Sequence, residues 1–106
     1  MNKFMRVMIF FDLPVKTPWQ RHEATKFRNF LIKDGFSMMQ WSVYTRICNG
    51  MDSVETHRRR VKENLPAKGS VRLLTLTEKQ FENMEVLLGT RTKSEDRKQT
   101  ATFLEF

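Results

Sequence analysis

The chain has 106 residues, enough for one hydrophobic core and too few for two. Its 40% hydrophobic and 29% charged residues, with four Gly and three Pro, exclude a disordered or fibrous chain, and a single cysteine excludes an intrachain disulfide and a cysteine-built zinc site. Nineteen Lys and Arg against twelve Asp and Glu leave a formal charge of +7, which makes polyanions, and nucleic acid first among them, the natural partners.

Lys3 and Arg6 precede an apolar run at 7–11, but Asp12 and Pro14 stop it far short of a signal peptide or a spanning helix. No wide apolar face on a basic helix and no lipid anchor is evident, so a cytoplasmic protein without membrane contact is expected. Residues 4–11 are β-branched and aromatic and are apolar on both parities from Val7, the pattern of a central strand covered on both faces. Thr17, Pro18 and Gln20 spell a helix start, with Thr17 as N-cap and Gln20 closing a capping box. Ala24, Phe27, Phe30 and Leu31 recur at helical spacing, and Asp34-Gly35 supplies the stop.

Residues 36–48 are too long for one strand and read as two, with a bend near residues 40–42. Asn49-Gly50 ends them, and Asp52 with Glu55 predicts a second capping box opening a helix that buries Val54, Val61 and Leu65 and turns Arg59, Arg60, Lys62 and Glu63 to solvent. Residues 70–77 form a fourth strand, followed by a short helical turn begun at Thr77 and Gln80. Residues 83–88 are read as a fifth strand, and residues 90–100 are a charge-rich linker to an apolar tail. One domain over 1–89 is therefore expected, with 90–106 giving it a linker and an extra C-terminal strand.

Strand, helix, strand, strand, helix, strand is the α+β, ferredoxin-like order. Two helices cover one face of such a sheet, whereas apolar residues at 7–11, 36–39 and 73–74 fall on both faces. A second copy is the simplest cover, so a sheet-to-sheet homodimer is predicted from burial alone.

Asp12 follows the apolar run where the chain leaves the sheet, and in a two-fold dimer it would occur twice. Two carboxylates near the axis, with waters, would suit a divalent cation such as Mg²⁺ or Mn²⁺ able to activate water for phosphodiester cleavage. The plainer reading has Asp12 capping the turn at Leu13-Pro14, and the residues alone leave both open. His22 and His57 lack metal-ligand spacing and read as surface or half-buried helix residues. The basic residues fall into groups at Lys16 and Arg21, at Arg58, Arg59, Arg60 and Lys62, and in the linker. Aromatics do not interleave with them along the chain, which favours backbone gripping over base stacking.

With Asp12 after an apolar first strand, Gln40-Trp41-Ser42-Val43-Tyr44 in the middle strands and this element order, the chain resembles the small CRISPR-associated adaptation protein family, partner of the CRISPR integrase. Phe11-Asp12-Leu13-Pro14, the segment KGSVRLLT at 68–75 and TEKQF at 77–81 resemble its type II-like branch. The resemblance implies a homodimer that bridges two integrase dimers across a double-stranded DNA prespacer, alongside other proteins of a type II system. It implies Asp12 as the catalytic and metal-binding acid of a cation-dependent endonuclease or endoribonuclease activity, one that the adaptation role does not require. It matches Ser42 and Tyr44 to the family's strand motif and places Lys16 and Arg21 where basic residues meet the duplex. Arg58, Arg59 and Arg60 are added as nucleic-acid contacts on charge alone. Three readings compete: a DNA-binding scaffold, a free-standing nuclease on paired Asp12, and a ferredoxin-like RNA-binding module.

Overall fold

A computed structural model describes residues 4–90. The elements run β1 (Phe4–Asp12), α1 (Pro18–Lys33), β2 (Ser37–Gln40), β3 (Val43–Asn49), α2 (Met51–Glu63), β4 (Ser70–Thr77) and α3 (Glu78–Glu82). The four strands make one antiparallel sheet in the order β2-β3-β1-β4. This is the ferredoxin-like arrangement, with the most apolar strand, β1, at an interior position as its two-sided composition predicts.

Side chains alternate across a strand, so β1 feeds two layers. Val7, Ile9 and Phe11 point to the helices, where they join Tyr44 and Cys48 of β3, Phe27 and Leu31 of α1 and Val54 and Val61 of α2 in the main core. The rings of Phe11 and Phe27 meet edge to face with centroids 5.3 Å apart. Arg6 and Met8 face the other way and are also buried. What covers Arg6 there is α3, whose Phe81 ring lies 4.1 Å from the guanidinium. Glu78 of α3 takes two hydrogen bonds from Arg6, Nε to Oε1 at 2.8 Å and Nη2 to Oε2 at 2.7 Å.

Both capping boxes expected at Thr17–Gln20 and Thr77–Gln80 form, each closed from both sides. The third does not. Gly50, at φ 96°, is the N-cap of α2 and gives no side-chain bond, so the helix begins at Met51 and Asp52 sits inside its first turn, where it opposes the positive helix end. Leu65, expected in the core, is half exposed because α2 has already ended at Glu63, and His57 is buried in its place beside Val54 and Val61.

The strand expected at 83–88 is also absent. Asn83 caps α3, and Met84 N–H bonds back to the Phe81 carbonyl at 3.0 Å, so the amides that would start a ladder close a helical turn instead. The chain then runs on without regular structure, leaving Leu87 and Leu88 almost fully exposed. The C-terminal strand expected within 90–106 lies outside the described residues, as do Arg91, Lys93, Arg97 and Lys98.

Candidate nucleic-acid and metal site at one end of the sheet

Asp12 is the last residue of β1, and its side chain is exposed. Two turns fix its backbone. On one side Phe11 N–H donates to the Ser42 carbonyl at 3.1 Å, and Ser42 reaches that position with φ 63°, a left-handed conformation seldom taken by residues other than glycine. On the other side Asp12 pairs with Ser70, and Gly69 at φ 110° passes so close that a Cβ there would stand 2.7 Å from the Asp12 carbonyl oxygen. The acid is therefore presented from a rigid strand end rather than from a loop.

Among the described residues no three or more His, Cys, Asp or Glu side chains gather to hold a metal ion. One protomer offers one carboxylate at Asp12. Magnesium binds through one or two carboxylates and keeps several waters, so exposed Asp12 suits a hydrated divalent cation as one ligand, and a second Asp12 would add another.

The motif residues Ser42 and Tyr44 part company. Tyr44 is buried in the main core, its ring 5.6 Å from that of Phe11, while Ser42 shapes the turn beside Asp12. Together they hold the end of β1 from two sides.

Lys16 and Arg21 are both exposed, near the start of α1. Arg21 Nη1 donates to the carbonyls of Val15 at 2.9 Å and Lys16 at 3.1 Å, and Gln20 Oε1 accepts from the backbone N–H of Lys16 and Thr17. The guanidinium braces the loop that follows Asp12 and leaves its remaining donors to solvent. Two further exposed cations reach this end of the sheet: Arg72, paired in register with Phe10, and Lys68, which lines a small cavity with Leu13, Pro14 and Trp19. Strand register alone would have placed Arg72 there; Lys68 needed the packing of its turn against the loop at 13–14.

Arg58, Arg59 and Arg60 lie on the exposed surface of α2, each facing a carboxylate. Arg58 pairs with Glu55 at 3.0 Å, Arg59 with Glu63 at 3.9 Å and Arg60 with Asp34 at 2.9 Å. Asp34 also accepts from His57 Nδ1 at 2.7 Å, and its backbone carbonyl accepts from Arg46. This cluster joins the end of α1 to α2 and β3. Its members are too far apart in sequence for any spacing rule to have linked them.

The family model for CRISPR associated protein Cas2 matches residues 5–84. A protein of Acidovorax ebreus named CRISPR-associated endoribonuclease Cas2 is 53% identical over 85 residues, covering 80% of this chain and 83% of its own length. One of the same name from Campylobacter jejuni is 52% identical over 88 residues, covering 83% of this chain and 62% of its own. A solved structure described as the crystal structure of cas2 superposes with a TM-score of 0.58 at 20% identity, covering 86% of this chain and 92% of that one, which supports the fold.

Proposed function

The chain belongs to the Cas2 family of CRISPR-associated proteins, and from that membership we propose that it works as a homodimeric, double-stranded-DNA-binding scaffold bridging integrase dimers during spacer acquisition. The observation that carries the reading is the gathering of exposed Lys16, Arg21, Lys68 and Arg72 around the end of the sheet that bears Asp12, on a chain of net charge +7. Two copies carry +14 along one body, a field suited to the regular phosphates of a duplex.

A second reading draws on the exposed Asp12 and on the endoribonuclease names of the relatives. Paired across a dimer axis, two Asp12 carboxylates would hold Mg²⁺ or Mn²⁺, and the cation would supply an activated water for phosphodiester hydrolysis. The rigid placement of Asp12 between two turns suits either part.

One set of variants separates them. The scaffold reading expects Asp12→Asn to keep the dimer, the duplex affinity and spacer acquisition in cells, whereas Lys16→Glu with Arg21→Glu weakens duplex binding and flattens its salt dependence by about four counterions per dimer, about two from each copy. Loss of acquisition in Asp12→Asn, with dimer and duplex binding intact, would overturn the scaffold reading in favour of the nuclease.

A further inference from the structure

Trp41 stands on the turn between β2 and β3 with 74% of its surface exposed, an unusual position for the largest apolar side chain. The folded chain brings Arg28 of α1, thirteen positions earlier, to 5.6 Å from the centre of its ring. Trp41 has no basic residue within four positions of it along the sequence; the fold supplies one. Arg28 makes a long hydrogen bond to Thr25 Oγ1 at 3.5 Å and has no carboxylate partner among the described residues. The guanidinium thus stands over one face of an indole that is otherwise largely exposed.

The turn does not float. Ser42, directly after Trp41, accepts the Phe11 amide, so the indole is anchored to the strand end that carries Asp12. Neighbouring strands lie about 4.8 Å apart, which puts the turn and Asp12 in adjacent rows of one edge.

We propose that Trp41 and Arg28 form a stacking site for an unpaired nucleobase, so that this end of the sheet binds single-stranded nucleic acid as well as any duplex. A flat exposed indole takes the π-face of any base, and an unneutralised guanidinium beside it takes the adjoining phosphate. Paired bases inside a duplex present no free face, so the site distinguishes frayed or unpaired ends from continuous helix. The proposal goes beyond the scaffold reading and does not depend on Asp12.

The test follows tryptophan fluorescence in the full-length protein carrying Trp19→Phe, which leaves Trp41 as the sole tryptophan. Titration with 15-nucleotide oligothymidylate and oligouridylate should quench the emission far more than a blunt 15-base-pair duplex, whose only free base faces are at its two ends. Trp41→Ala, assayed by anisotropy with labelled oligonucleotides, should weaken single-strand binding about 5- to 150-fold, the span of one stacked base, while Trp41→Phe keeps most of it and blunt-duplex affinity changes less than twofold. Stacking is indifferent to the sugar, so DNA and RNA strands should respond alike; response of the RNA strand alone would overturn stacking as the cause in favour of contacts to the 2′-hydroxyl. Absence of quenching, an equal loss of single-strand and duplex binding in Trp41→Ala, or a change of oligomeric state in that variant by sedimentation would each refute the proposal, the last by making Trp41 a protein interface residue.

Discussion

Replacing Glu78 by Gln tests what holds α3 against the sheet. Arg6 and Glu78 are 1% and 3% exposed and share two charge-assisted hydrogen bonds, with the Phe81 ring beneath the guanidinium. The substituted side chain would keep nearly the same shape but leave a buried arginine facing a neutral amide, and breaking a buried pair from one side costs about 3–5 kcal/mol. The amide oxygen still accepts one bond, which puts the expectation near the low end, about 3 kcal/mol. For a domain of this size that is a large part of a total stability of about 5–15 kcal/mol and corresponds to a fall in Tm of roughly 12–24 °C. Urea unfolding followed by circular dichroism, at one fixed protein concentration because association shifts apparent stability, reads the loss directly. Arg6→Met keeps an apolar stem over Phe81, and the double variant should be more stable than the sum of the single losses allows, with a coupling of about 1–3 kcal/mol. A Glu78→Gln protein within about 0.5 kcal/mol of the parent, or a coupling near zero, would show that the pair does not secure α3.

Phe27→Ala should cost about 3–5 kcal/mol by the same denaturation measurement, since it empties a buried position in contact with the Phe11 ring. Asp34→Ala removes the acceptor shared by His57 and Arg60 and should cost about 2 kcal/mol, with hydrogen exchange rising first at the end of α1 where the three side chains meet. Gly69→Ala should lower the Tm by more than a surface substitution does, because it combines a left-handed φ with a main-chain collision against the Asp12 carbonyl. A calorimetric scan of that variant indistinguishable from the parent would mean the turn is free to move and does not fix Asp12.

Local signals in the sequence located most of the fold. The boxes at Thr17–Gln20 and Thr77–Gln80 are complete within four residues, so they could be read directly, and both formed. The box at Asp52 and Glu55 had the right spacing, but Gly50 reached the left-handed conformation that starts a helix two residues earlier, and local spacing does not weigh such rivals. His57 illustrates the opposite case. Its burial depends on Asp34, 23 residues away, which supplies the hydrogen bond that lets an imidazole enter the core. Of the candidate site, Asp12 stood out as an acid at the end of an apolar strand, whereas Arg72 and Lys68 joined it through pairing and packing across the sheet, and Trp41 met Arg28 only through the fold.

The same long-range logic sharpens the argument for a second copy. Composition alone asks for a cover over the whole second face of the sheet, yet α3 already supplies part of it by burying Arg6 under Phe81. What stays open is Leu74 of β4, 49% exposed at the place paired with Met8, and the apolar run of Val86, Leu87 and Leu88 that follows α3. β4 is an outer strand of the described sheet and is paired on one side with β1. Burial therefore asks for a smaller cover than a whole second sheet, and Leu74 on β4 is where that cover is still wanted. The Arg6–Glu78 pair matters here because it holds α3 against β1 and so closes that part of the face.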